Sequence, residues 1–99
     1  MKYRLSKTAV SDLIRIHKYG SKRFGEKQAD KYYQHLFDCF ERIGLRPFAF
    51  ESVDHIVTGY RRCVCGVDAI YFKVHSNEVL IITIIGRQDF TQIFRANKD

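Results

Sequence analysis

The clearest periodicity in the chain is helical. Ala29, Tyr32, Tyr33, Leu36, Phe37, Phe40 and Ile43 recur at i, i+3, i+4 and i+7 spacing, which gathers them on one face of a helix. An aromatic stripe of this kind reads as core. An earlier stretch, Val10, Leu13, Ile14, Ile16 and Phe24, gives a second apolar stripe, with His17 at its edge. Ser6 precedes it as an N-cap, its hydroxyl placed to accept a backbone N–H of a helix beginning at Lys7. Gly25 is the only linking residue, between 24 and 26, so a tight antiparallel helical hairpin is expected. Gly44 and Pro47 are expected to end the second helix.

Elsewhere the period changes from helical to alternating. Tyr3 and Leu5 alternate with Lys2 and Arg4, which suits a short first strand. Residues 60–65, 68–75 and 78–86 are rich in β-branched and aromatic types and read as three further strands. Gly66 and Ser76-Asn77 supply the hairpin turns between them. The run Val79 to Ile85 is apolar on both faces, so its strand is expected inside the sheet, covered by the helices on one side and another segment on the other. Residues 46–58 show no sustained period and read as a long connection back to the sheet. The order is β-α-α-β-β-β, an α+β fold with a helical hairpin packed on a small, mainly antiparallel sheet. There are no repeats or low-complexity tracts, so residues 1–99 form a single domain.

Composition narrows the class. Hydrophobic residues make up 45% of the 99 positions, enough for one modest core. No run approaches the roughly 18 uncharged apolar residues of a membrane span, and the charged start Met1-Lys2-Tyr3-Arg4 lacks a signal-peptide core. A cytoplasmic protein without membrane contact is expected. Formal charge is +6, and residues 1–45 hold ten Lys/Arg against five Asp/Glu. Lys18, Lys22, Lys27 and Lys31 lie in that half. They read either as a solvated helix face or as a docking edge for an acidic partner segment. Modules for sequence-specific nucleic-acid binding are missing, so no such binding is expected.

Catalytic and cofactor motifs are equally absent: no phosphate-binding glycine loop, dinucleotide fingerprint or serine elbow occurs. No cofactor is expected. The odd count of three cysteines argues against a secreted disulfide framework. Cys63 and Cys65 are two apart on one strand, too poorly oriented to bridge each other. A metal site joining them to His55 or His75 lacks supporting spacing. Free, buried thiols at Cys39, Cys63 and Cys65 and no metal are therefore expected.

The ordered set of short motifs resembles the ParE branch of the ParE/RelE toxin superfamily. It comprises Tyr3-Arg4-Leu5-Ser6, Phe24-Gly25-Glu26, Arg46-Pro47, Gly59-Tyr60-Arg61-Arg62, Gly66, Ile70-Tyr71-Phe72 and Gly86-Arg87-Gln88-Asp89. The chain departs from the family pattern at Cys63, Val64 and Ile85. The resemblance implies the toxin of a type II toxin–antitoxin pair, neutralised by a ParD-like antitoxin and poisoning DNA gyrase without catalysis. Arg61, Arg62, Arg87, Asp89 and Phe90 are the residues expected to meet the target, because arginine anchors desolvated patches through forked hydrogen bonds and stacking. For Arg87 and Asp89, pairing with each other at the sheet end is the alternative. Lys18, Lys22, Lys27 and Lys31 are expected to receive the antitoxin.

The superfamily's other branch, resembling RelE, cleaves mRNA on the ribosome. That chemistry needs a base for the 2′-hydroxyl proton and cations for the phosphorane charge. Where such relatives place a Tyr or His, this chain has Phe90 and Phe94, which leaves Tyr60 and His75 as base candidates. Residues 46–86 carry one lysine, Lys73, where a ribosome binder would profit from many phosphate contacts. Gyrase inhibition is therefore preferred over mRNA cleavage. A degenerate, non-toxic partner for the antitoxin is the third reading.

Overall fold

Ser6 sets where the first helix begins and where it sits. In the computed structural model, which describes residues 1–86, its hydroxyl accepts the Ala9 N–H at 3.0 Å and donates to the Ile82 carbonyl at 2.6 Å. The same residue therefore caps a helix and pins it to a strand. Strand β1 (Lys2–Leu5) precedes it, and helices α1 (Lys7–Phe24) and α2 (Glu26–Leu45) follow, separated by Gly25 at φ +90°. Beyond them lie β2 (Glu51–Ser52), β3 (Arg61–Cys65), β4 (Asp68–His75) and β5 (Glu78–Gly86).

The sheet order is β1-β5-β4-β3-β2. β1 runs parallel to β5 and the other pairs are antiparallel. The expected helical hairpin on a mainly antiparallel sheet is therefore the observed fold, with β5 in the interior as its apolar pattern required. Ser76 and Asn77, at φ 51° and 60°, form the β4–β5 turn, both residues being left-handed as a tight hairpin demands.

Two differences concern residues 44–52. Gly44 does not end α2. It lies buried inside the helix, where a Cβ would stand 2.7 Å from the Met1 carbonyl oxygen, so glycine is present because β1 approaches closely. The helix stops at Leu45, since Arg46 precedes a proline and leaves the helical region (φ −143°). The connection after it is not wholly irregular: a 3₁₀ turn at Pro47–Ala49 leads into β2, which pairs with Arg61 and Arg62. A two-residue strand is too short to show a period.

Alternation along the strands divides the core into two layers. Toward the helices face Ile70, Phe72, Val79, Ile81 and Ile84, packed against Ala9, Leu13, Leu36, Phe40 and Ile43. On the other face Ala69, Tyr71 and Ile85 pack under Val53, with Ile56 and Tyr60 at the margin. A bulge makes this division possible. Tyr71 pairs with Thr83 but Phe72 with Ile81, so Ile82 is the extra residue and Ile84, rather than Thr83, turns inward. Asp12 of α1 fixes the shifted strand, accepting from the Thr83 hydroxyl at 2.6 Å and the Ile84 N–H at 2.9 Å.

The α1 stripe is only partly inward. Ala9 and Leu13 are buried, whereas Val10, Ile14 and Phe24 are 44%, 53% and 64% exposed. The small Ala9 takes the position facing the sheet, and its neighbours Val10 and Ile14 form a row one step around the helix.

Candidate functional site

Arg61 and Arg62 are successive residues of β3, so the pleat sends them to opposite faces. Arg61 shares its side with Cys63 and Cys65, which belong to the helix-facing core. Its guanidinium donates to the Phe50 carbonyl at 2.8 Å and stacks over the Phe48 ring, 5.1 Å from the centroid. Phe50 is held by an edge contact with Phe72 at 6.0 Å. Phe48 itself is 62% exposed. The result is a cation fixed on an aromatic at the surface, beyond the C-terminal end of α2.

Arg62 is engaged differently. It pairs with Glu51 of β2 and lies beside the Tyr71 hydroxyl on the second face. Burial pushes the Tyr71 phenol above its usual pKa, and the Arg62 guanidinium partly offsets that. Arg62 is thereby built into the fold, and the paired arginines do not form one continuous patch. Arg87, Asp89 and Phe90, the other expected target contacts, lie outside the described residues. Gly86, the last described residue, pairs with Asp68 at the β3–β4 hairpin, whereas Arg61 pairs with Phe72 farther along β4.

The two base candidates are also dispersed. His75 pairs with Glu78 at the β4–β5 turn, and Gly86 pairs with Asp68 at the other end of the same strand. Seven residue steps at ~3.3 Å separate these ends by roughly 23 Å. Tyr60 packs at the margin of the second layer, on the side away from Arg61. With His75 placed by alternation along β4, both candidates fall on the sheet face away from Arg61.

Lys18, Lys22, Lys27 and Lys31 are all exposed, and none forms an ion pair among the described residues. Lys18 and Lys22 continue the Val10–Ile14 row at i+4 steps, while Lys27 and Lys31 repeat that spacing on α2. His17 joins the helices through a 2.8 Å hydrogen bond with Asp30 and an edge contact to Tyr33. Farther from Gly25, a shallow depression is lined by Tyr3, Tyr33, Gln34, Phe37, Asp38 and Glu41. The four lysines thus lie toward the Gly25 end, where Glu26 and Asp30 also sit, while Asp38 and Glu41 border the depression.

Cysteine placement corrects the expectation of three free thiols. Cys39 of α2 and Cys65 of β3 are joined in a disulfide, with Cα atoms 6.7 Å apart. Only Cys63 remains a thiol, buried, with its pKa pushed up by desolvation. Cys63 and Cys65 do share one face of β3, and the partner of Cys65 comes from the helix packed above that face. The bridge ends beside a polar clamp. The Tyr32 hydroxyl donates to Asp68 at 2.6 Å, lies 3.0 Å from the Cys65 carbonyl and accepts the Val67 N–H at 3.2 Å. Burial and then the Asp68 hydrogen bond push the Tyr32 phenol far above its ordinary pKa. Gly66 lies directly beneath. Its φ is +61°, and a Cβ there would come within 2.5 Å of the Tyr32 ring.

Sequence reasoning missed Phe48 and Phe50 as partners of Arg61, and Glu51 as the partner of Arg62. The available signal was the alternation of Phe48, Phe50 and Ser52 after Pro47, obscured by the 3₁₀ turn. Among the described residues, no helix is long and apolar enough to cross a membrane.

Comparison with known proteins agrees with this architecture. A family model described as the ParE toxin of the type II toxin–antitoxin system parDE matches residues 3–90. Toxin ParE1 of Caulobacter vibrioides is 35% identical over 72 residues, covering 73% of this chain and 75% of that protein. The solved structure titled "Chromosomal ParDE TA system from P. aeruginosa" superposes with a TM-score of 0.78, covering 87% of this chain and 95% of that one. At 19% identity that likeness speaks for the fold. With the model spanning nearly all of its length, the chain belongs to the ParE toxin family of type II toxin–antitoxin systems.

Proposed function

We propose that this ParE-family toxin inhibits DNA gyrase without catalysis and is neutralised by a ParD-like antitoxin in the cytoplasm. The observation that carries the target side is the Arg61–Phe48 pair, held by the Phe50 carbonyl and presented at the surface. A small inhibitor must stabilise one state of a much larger enzyme, here its DNA-cleaved complex. A pre-oriented guanidinium stacked on an exposed ring loses little entropy on docking, which suits it as an anchor. Arg87, Asp89 and Phe90 complete the proposed target surface, and Arg62 supports it from the opposite face through Glu51.

The antitoxin side rests on α1. Val10 and Ile14 expose apolar surface in a row that continues into Lys18 and Lys22, with Lys27 and Lys31 on the neighbouring helix. An amphipathic acidic segment that orders on binding would cover the apolar row and meet the lysines. Reversing Lys22 and Lys27 together should weaken antitoxin binding and flatten its salt dependence. Unchanged affinity and salt slope would remove this docking surface.

Induced expression tests the reading as a whole. Growth arrest, relieved by co-expression of the antitoxin and accompanied by cleaved chromosomal DNA, is expected. Arrest with cut mRNA and intact DNA would assign the chain to ribosome-dependent cleavage. No arrest, with antitoxin binding retained, would make it a non-toxic partner.

A further inference from the structure

The β3–β4 hairpin end of the molecule carries a group that the proposed target and antitoxin contacts do not use. His35 and Cys39 stand one turn apart on α2, and Cys65 ends β3 beneath them. A ring nitrogen of His35 and the two Sγ atoms all lie within 4.8 Å of one another. The cysteines are buried to 1% exposure each, while His35 is exposed. An imidazole therefore forms the solvent side of a buried sulfur pair.

Two sulfurs and one imidazole are the donor set of a thiophilic metal site with an open fourth position. Around a tetrahedral ion, with metal–sulfur bonds of ~2.3 Å and metal–nitrogen bonds of ~2.0 Å, such atoms stand roughly 3.5–3.8 Å apart. The observed group needs only a small contraction on the histidine side and separation of the bonded sulfurs. The Tyr32 clamp matters here. It holds the Cys65 carbonyl and the Val67 N–H to α2 without using the disulfide, so Cys65 stays under Cys39 when the bond opens.

We propose that His35, Cys39 and Cys65 form a redox-gated site for a zinc-class divalent cation. The two sulfurs either bond to each other or, once reduced, share the ion with His35. A dithiol reductant supplies two electrons and two protons, the Cys39–Cys65 bond breaks, and the reductant leaves as its own disulfide. The cation then displaces both thiol protons, neutral His35 donates a nitrogen lone pair, and water fills the fourth position. Oxidation by a small-molecule disulfide reverses the sequence and expels the ion. Either state staples α2 to β3, so the fold is fastened in oxidising and reducing surroundings alike. This inference is independent of the gyrase reading.

Cobalt(II) is the probe. The full chain, reduced with a phosphine under anaerobic conditions, is titrated while circular dichroism reports folding. One equivalent should give tetrahedral ligand-field bands and thiolate-to-cobalt charge transfer, both bleached by equimolar zinc, and the oxidised chain should give neither. Cys63→Ser should behave like the parent. His35→Ala, on the exposed side of the helix, should fold normally yet bind at least about tenfold more weakly. Cys39→Ser should lose most of the charge transfer. A folded, reduced chain without these bands would overturn the proposal. So would loss of the bands in Cys63→Ser, parent-like affinity in His35→Ala, or a reduced chain that stays unfolded when cobalt is added.

Discussion

The two faces of the sheet are covered by different means, and the difference separates what holds the molecule together from what it presents. On one face, two helices of 18 and 20 residues lay apolar stripes over seven buried inward strand positions. On the other, Ala69, Tyr71 and Ile85 are closed by Val53 and a loop whose turns are pinned by single hydrogen bonds, such as Gly59 N–H to the Asp54 carboxylate at 2.7 Å. The helix side carries most of the buried apolar area, and with it most of the hydrophobic stabilisation. The loop side holds a smaller core bordered by Arg62, Glu51 and Tyr60. The proposed target anchor, half-buried Arg61 stacked on exposed Phe48, lies at the rim beyond the C-terminal end of α2 rather than in either core.

Truncation tests that contrast most severely. Phe40 and Val53 are both fully buried, one in each layer. Phe40→Ala should cost about 3–5 kcal/mol in chemical denaturation. Val53→Ala should cost about 2 kcal/mol, from two lost methyl groups and a small cavity. Equal costs would show that the loop-covered layer is as cohesive as the helical one.

Next comes the staple. Cys39 and Cys65 are 26 residues apart in sequence, and closing such a loop in the unfolded chain is worth about 3 kcal/mol. Cys65→Ser without added metal should lower the denaturation midpoint accordingly, and Cys63→Ser should leave it nearly unchanged.

How much of this was legible follows from length and period. Ser6, Gly25 and the two stripes declared the helical hairpin, because 18 and 20 residues give several turns in which a 3.6 period can show. The last three strands were legible from Gly66 and Ser76-Asn77. The Ile82 bulge was not, since an apolar run on both faces looks the same with or without an extra residue. β2 was too short to carry a period. The Cys39–Cys65 pair and its neighbour His35 depend on a helix crossing a strand, and no spacing within one element records that. Arg61 and Arg62, expected on one surface, are both half-buried and point to opposite faces, a split that alternation along β3 alone requires.

A smaller effect is expected from the Tyr32 clamp. Tyr32→Phe should cost about 1–3 kcal/mol by leaving buried Asp68 without its donor. It should also change the pH dependence. The folded-state pKa of Tyr32 is raised, so the folded chain holds the proton more tightly than the unfolded one. The contribution is whole below the unfolded value of about 10 and falls as pH rises above it. Urea denaturation between neutral and strongly alkaline pH should show this decline, shallower in Tyr32→Phe. An identical decline in the two proteins would assign it elsewhere, for instance to Tyr3 or Tyr71, whose pKa values are also raised. Least of all should matter the exposed Arg4–Glu78 pair, where Arg4→Ala should change stability by less than about 1 kcal/mol.

The most direct test of the account is a gyrase cleavage-complex titration with purified, antitoxin-free protein, comparing the parent chain with Arg61→Ala and Phe48→Ala at equal folded concentration. The parent should trap cleaved DNA and block supercoiling, and both variants should lose potency at least tenfold while keeping the parent's unfolding free energy to within about 1 kcal/mol. A parent chain that leaves gyrase untouched at saturating concentration, or variants that trap cleaved DNA as well as the parent does, would contradict it.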